Sequence, residues 1–274
     1  MSRSEIHTDT EHCLAYETDG VAVITLNRPQ SRNALSKEML AGLEKALDYA
    51  ERASRVRALV VTGAGGAFCA GGDVKSMASS SPADGPTLDE RIHNQRLSQR
   101  NTAGRIYQMP KPVIAMLPGP AAGAGLSLAL SADIRTMADT AFITTAFARV
   151  GFSGDYGGTF FLSRLVGSGK ARELYFLSDR LDAEQCKHLG IANFVVAADR
   201  LEEETMALAR RLAAGPAVAY RYMKENLNRA AAGGDVIECL DLEATHHVHT
   251  GLTEDHREAA KAYVEKREPV FKDR

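Results

Sequence analysis

Two glycine-rich stretches, 63–73 (GAGGAFCAGGD) and 118–125 (PGPAAGAG), each follow a short aliphatic run, at 57–62 and 112–117. A glycine loop at the end of a strand lets a ligand approach the backbone closely and permits unusual dihedrals. Where such a loop leads toward a helix, free N–H groups and a positive dipole end stand nearby. Two such loops side by side can aim two amides at one oxygen. That is an oxyanion hole, suited to an enolate or a tetrahedral intermediate. Phosphate binding is the competing chemistry, but Gly63-x-Gly65 and Gly123-x-Gly125 fall short of GxGxxG, and no GxxxxGK(S/T) occurs. Tight turns and helix packing account for the same glycines without any ligand. A third loop, GFSGDYGGT at 151–159, holds Asp155 between glycines, a setting that turn chemistry alone explains.

The elements around these loops follow from patterning. Residues 14–17 and 21–26 read as strands joined across Asp19-Gly20. Ser36 is a helix N-cap, after which Met39, Leu40, Leu43, Ala46, Leu47 and Ala50 recur at helical spacing through residue 53. Residues 57–62 and 112–117 are buried strands, and both glycine loops are expected to lead toward helices. A Ser-, Pro-, Asp- and Gly-rich stretch at 76–90 reads as a mobile loop of functional length. A polar helix spans 88–108 and stops at Met109-Pro110, and a small-residue helix covers 125–132. Short strands are expected at 133–138, 142–145 and 194–196. Helices follow at 159–166, 168–177, 182–188, 199–214, 216–231, 235–248 and 253–266. The first half alternates strand and helix while the second is nearly all helix, which predicts an α/β core with helical additions.

Composition narrows the function. With 33 Lys and Arg against 35 Asp and Glu, the net charge of the 274 residues is −2, which argues against a nucleic-acid binder. No run of 18 apolar residues occurs, so no membrane span is expected. The polar start, MSRSEIHTDTEHC, has no secretory-signal pattern. Cys13, Cys69, Cys186 and Cys239 form no CxxC or CxxH pair, so neither a zinc site nor a disulfide framework is indicated. A reduced, cytoplasmic chain is the simplest reading. His246, His247, His249 and His256 offer no clean i,i+4 metal pair and read as exposed or interface residues. His93 and Cys69 read as structural, the latter because no basic partner would activate it. Asp73 and Asp133 read as structural or capping groups.

LNRPQSRNAL (26–35), GAFCAGGDVKSM (66–77), KPVIAMLPGPAAGAGLSLALSADI (111–134), ARVGFSGDYGGTFFLSRLVG (148–167) and TEDHREAAKAYVEKREPVF resemble the crotonase superfamily, the enoyl-CoA hydratase/isomerase family, in the family's order along 14–272. The resemblance implies an α/β fold, a spiral of ββα turns over 1–200, with a helical oligomerisation region at 201–274. It implies an acyl-CoA thioester substrate, no cofactor beyond the substrate's own coenzyme A, no metal, and a homotrimer or hexamer. Carried over by position, the oxyanion amides belong to Gly72 and Ala124. The Ala70-to-Val74 segment, with Gly71 and Asp73, resembles the adenine and pantetheine wall. Arg28 and Lys266 resemble positions near the CoA phosphates, and for Arg28 a structural ion pair is an equal alternative.

The family's hydratases use two glutamates, and here those positions are Ser127 and Phe147. Neither moves protons at neutral pH, so the two-glutamate hydration mechanism does not transfer. Asp155 resembles the single carboxylate of certain family isomerases, including the ring-epoxyphenylacetyl-CoA isomerases. That resemblance implies a 1,3-proton shift with Asp155 as sole acid/base. Phe147 and Phe152 would dry the site and raise its pKa, and Tyr156 would either donate to substrate or serve structure alone. The alternatives are a hydratase or hydrolase in which Asp155 orients water, and a non-catalytic acyl-CoA binder.

Overall fold

The computed structural model describes residues 3–73 and 85–274. Val74 and most of the 76–90 stretch lie outside them. Among the described residues, the main sheet has seven strands: β1 (Ser4–Ile6), β2 (Cys13–Thr18), β3 (Val21–Leu26), β4 (Ala58–Gly63), β5 (Val113–Leu117), β7 (Ile134–Ala138) and β10 (Phe194–Val196), adjacent in that order. The β1–β2 and β2–β3 pairs are antiparallel and the rest parallel. A smaller sheet joins β6 (Ala121–Ala122), β8 (Phe142–Thr144) and β9 (Leu181–Asp182). Strands β4 and β5 are buried throughout and read as continuous aliphatic runs, as a parallel sheet covered on both faces requires. Their pairing, Leu59 opposite Val113, puts both glycine loops at the same edge of the sheet.

Helix α1 (Lys37–Arg52) buries Met39, Leu43, Ala46, Leu47 and Ala50 on one face, and Ser36 caps it by accepting from the Met39 amide. Helix α2 (Leu88–Gln99) opens on a capping box between Thr87 and Glu90. It passes through a π-helical turn, Arg100–Gly104, into a last turn, Arg105–Gln108. Helix α3 (Ala124–Leu130) is short and buried along its whole length, as its small and aliphatic sequence demands. Helix α4 (Gly158–Leu177) breaks at Gly167, whose φ of 78° and ψ of 161° no helix accommodates. The two helices expected at 159–166 and 168–177 meet there. Helices α5 (Ala183–His188), α6 (Leu201–Ala213), α7 (Ala217–Ala231), α8 (Val236–Gly251) and α9 (Glu254–Glu265) complete the chain.

Helix α6 packs on the main sheet and buries Leu201, Met206, Ala209 and Ala213 in the same core as β4 and β5. The division at residue 201 that the resemblance implies falls at the start of a core helix. Beyond it, helices α7 to α9 leave large apolar side chains exposed, Leu227, Ile237, Leu240, Leu252 and Val264 among them.

The capping reading of Asp133 has a concrete form. Its carboxylate accepts from the Val113 amide at 2.7 Å and from the Lys224 ammonium at 2.8 Å, tying α7 to the start of β5. His246 departs from the sequence expectation: it is buried, stacked on Tyr222 at 4.3 Å, with Nδ1 2.6 Å from Asn226 Oδ1. An aromatic neighbour one helix away has no signature in the local sequence. His247, His249 and His256 are exposed.

Candidate active site

The first glycine loop is held from inside by Asn33, which is fully buried. Its amide nitrogen donates to Ala64 O at 2.9 Å and Ala67 O at 2.8 Å, and its oxygen accepts from the Arg28 amide at 2.8 Å. Its φ of 57° lies in the left-handed region, which asparagine tolerates better than most residues. We expect Asn33→Ala to lower stability by about 3 kcal/mol, since two buried carbonyls and one N–H lose their partners at about 1–3 kcal/mol each. Thermal denaturation checks this; a variant as stable as the parent would mean the loop does not depend on Asn33.

The two loops are stitched together by backbone. Phe68 and Cys69 amides donate to Pro120 O, the Ala122 amide donates to Cys69 O at 2.9 Å, and Cys69 forms a parallel bridge with Ala121. Gly72 is fixed by a second parallel bridge, to Leu35, whose amide donates to Gly71 O at 2.8 Å. Gly71 has a φ of 89°, and a Cβ on it would lie 2.7 Å from Ala122 O and 3.3 Å from the Ala124 nitrogen. Only glycine allows that approach, and it brings the peptide preceding Gly72 against the Ala124 amide. Ala124 is the first residue of α3, where an N–H has no intrahelical acceptor. Neither the Gly72 nor the Ala124 amide donates to another described residue. Only Ala124 sits at a helix N-terminus in the described structure; the segment after Asp73 lies outside it.

Asp155 lies in the loop before α4. Its Oδ1 is buried and has no hydrogen-bond partner among the described residues. Burial pushes the carboxyl up from 3.8 to about 6, and no cation acts on it among the described residues. Tyr175 and Cys69 face it: burial first, then the Asp155 charge, raises the Tyr175 phenol, and burial likewise takes the Cys69 thiol to about 12. That thiol donates to Asn33 O at 3.0 Å and is inert packing. Ser127 is buried and donates to Gly123 O, one turn back in its own helix. A Cβ on Gly158 would meet both the Ser127 and Tyr175 hydroxyls within 2.5 Å, so these groups and the start of α4 converge. Phe147 is buried and stacked on Tyr175 at 5.7 Å between ring centres.

Several sequence-derived residues gather here and others do not. Gly71, Gly72 and Ala124 lie together, with half-buried Ala70 beside them donating its amide to Arg32 O. Arg28 bonds through its Nη atoms to Ala34 O and to Asp73, the ion-pair alternative considered for it. Tyr156 is buried and its hydroxyl lies 3.1 Å from Ser98 Oγ, so its polar end is engaged within the protein. Phe152 is 56% exposed, so it does not dry the site in the single chain; Phe147 and Tyr175 supply the apolar surround instead. An apolar residue in an irregular loop has no periodicity to report its burial. Lys266 is the exposed C-cap of α9, and its ammonium bonds to no described residue. Val74 lies outside the described residues. Tyr175, Asn33 and Gln99 were not legible as site residues, because each carries an ordinary type in an ordinary element.

Among the described residues, the Gly72 and Ala124 amides donate to no acceptor and the buried Asp155 Oδ1 has no hydrogen-bond partner. The chain belongs to the enoyl-CoA hydratase/isomerase family of the crotonase superfamily, whose profile it matches over residues 16–274. It is similar to the 1,2-epoxyphenylacetyl-CoA isomerase of Escherichia coli, with 36% identity covering 95% of this chain and 98% of that protein. A probable enoyl-CoA hydratase of Rhodobacter capsulatus is also 36% identical, over 95% of this chain and 98% of its own length. The crystal structure of an enoyl-CoA hydratase from a Polaromonas species superposes with a TM-score of 0.89 at 31% identity, covering 95% of this chain and 99% of that one. The chain is thus an acyl-CoA enzyme of that family, with the family's α/β fold and C-terminal helices.

Proposed function

We propose that this enzyme isomerises an enoyl-CoA, moving a double bond by a 1,3-proton shift with Asp155 as its single acid/base. The thioester oxygen accepts from the Gly72 and Ala124 amides. Ionised Asp155 takes a proton from the α-carbon, and the electron pair passes into a dienolate whose oxygen the two amides hold. The protonated acid then returns its proton to the γ-carbon. The double bond moves from β,γ to α,β, and no atom is gained or lost. The observation that carries this reading is the buried Asp155 oxygen with no partner among the described residues, in a chain where the two hydratase glutamate positions are Ser127 and Phe147.

The test is a 3-enoyl-CoA substrate followed by formation of the conjugated thioester, beside crotonyl-CoA followed for water addition. Double-bond movement without hydration supports the reading; hydration alone transfers Asp155 to water activation, and binding without turnover of any thioester makes the chain a binder. A pH profile adds a second check. The base form of Asp155 starts the reaction, so kcat/KM rises with pH through about 6 and is flat above it. A limb near the ordinary aspartate range would mean that burial does not raise the Asp155 pKa in the working enzyme, and a profile with no acid limb would remove Asp155 from the proton transfer.

The same reading takes coenzyme A as part of the substrate, with no further cofactor, and Ala70 to Asp73 beside its adenine and pantetheine arm. The exposed apolar side chains of α7 to α9 support 201–274 as the region through which copies assemble into a trimer or hexamer.

A further inference from the structure

We infer that Gln99 is a positioning residue that aims Asp155 through the backbone of Tyr156; the inference rests on the reading of Asp155 as the acid/base. A carboxylate oxygen without a hydrogen bond takes no orientation from side-chain partners. Its direction must come from its backbone. The peptide joining Asp155 to Tyr156 is held at both ends: its C=O accepts from the Gly158 amide at 3.1 Å, and its N–H donates to Gln99 Oε1 at 2.7 Å. The first hold is local to the turn. The second comes from another element, the end of α2.

Two further features mark this contact as more than chance packing. Tyr156 has a φ of 48°, a left-handed conformation that is costly for a bulky residue and persists only where the surroundings impose it. Its hydroxyl is also engaged by α2, at Ser98 Oγ. The α2 backbone departs from α-geometry directly after Gln99, in the π-helical turn Arg100–Gly104, where Thr102 Oγ1 donates back to Ser98 O at 2.7 Å. Such turns are rare in helices and are found frequently at functional sites. Here Ser98 and Gln99 both reach the Asp155 loop.

The test compares Gln99→Leu with Gln99→Glu. Leucine removes the acceptor at similar size. We expect kcat to fall about 10²-fold, the usual consequence of misplacing a reacting group by about 1 Å, with KM for the thioester within about twofold. Glutamate keeps an acceptor for the Tyr156 amide and restores kcat to within about threefold of the parent at its optimum. Its charge also disfavours a second charge on Asp155, so the acid limb of the profile moves up by about half a unit.

The groups facing Asp155 are Cys69 from the first glycine loop, Tyr175 from α4 and its neighbour Tyr156, all uncharged near neutral pH. Glu44 of α1 acts on Tyr156, and Arg96 and Arg100 flank Gln99 as exposed residues. None of these changes in the variants. A Gln99→Leu enzyme with parental kcat overturns the inference, as does a Gln99→Glu enzyme equally impaired or with an unmoved limb. Should the leucine variant fail to fold, the glutamate limb decides. An inert Asp155→Asn beside a fully active Gln99→Leu removes the positioning role alone; a fully active Asp155→Asn removes both.

Discussion

An Asp155→Asn enzyme binds a CoA thioester as the parent does but no longer shifts its double bond. The loss in kcat is expected to be about 10⁴-fold, the upper range for a positioned acid/base group, because Ser127 and Phe147 offer no second proton carrier. Calorimetric binding separates this from a collapsed site. Turnover at the parental rate would reject the assignment outright.

The same variant has a thermodynamic signature. Burial raises the folded-state pKa of Asp155 to about 6, above its value in an unfolded chain. The stability associated with that raised value is fully present below the unfolded pKa and is lost as pH rises through about 6. Near neutral pH the parent therefore carries a buried charge at a cost of about 2 kcal/mol, after allowance for partial solvent access. Asparagine removes that charge. The variant should melt roughly 4–8 °C higher at neutral pH, and the gain should vanish as pH falls toward the ordinary aspartate range. An inactive variant that is also more stable is hard to explain by structural damage. No gain in melting temperature would mean that Asp155 is not held in an unfavourable setting.

The second large effect concerns the Ala124 amide. Side-chain substitution leaves a backbone donor in place, but Ala124 is the first residue of α3, where proline is well tolerated because that N–H has no intrahelical partner. Ala124→Pro removes the donor and puts ring carbons in its place, while the helix keeps its own bonds. We expect kcat/KM to fall at least about 10²–10³-fold, the range for loss of one oxyanion donor. Ala124→Gly, which keeps the N–H, should retain most activity. Circular dichroism and melting confirm the fold. An active, folded proline variant would show that the Ala124 amide does not hold the reacting oxygen.

Much of the scaffold was legible because its signals are local and strong. The Ser36 cap, the aliphatic spacing along α1 and the continuous runs of β4 and β5 each have one physical interpretation, and the structure places those elements within a residue or two. Strands β6 and β9 are only two residues long, too short for any alternation, and exist because strand β8 lies between them and pairs with both. Strand β1 has only three residues.

The two loops could be read as glycine-rich, but their adjacency depends on strand order, which pattern alone does not give. Gln99 lies in a helix with no buried face, so nothing in its surroundings distinguishes it from any solvated glutamine. Its meaning appears only when Tyr156 arrives from 57 positions away. Phe152 errs in the opposite direction: its type suggests a drying role, while its loop leaves it outside.

The bridges Cys69–Ala121 and Leu35–Gly72 have a consequence for how such a protein can change over generations. On the proposed reading, the hold on the thioester oxygen is made of main-chain atoms pinned by main-chain partners, so most inherited substitutions leave it untouched. Proton handling, on the same reading, depends on which side chains occupy positions 127, 147 and 155. A lineage can therefore trial new reactions one substitution at a time without first surrendering its grip on the intermediate that those reactions share.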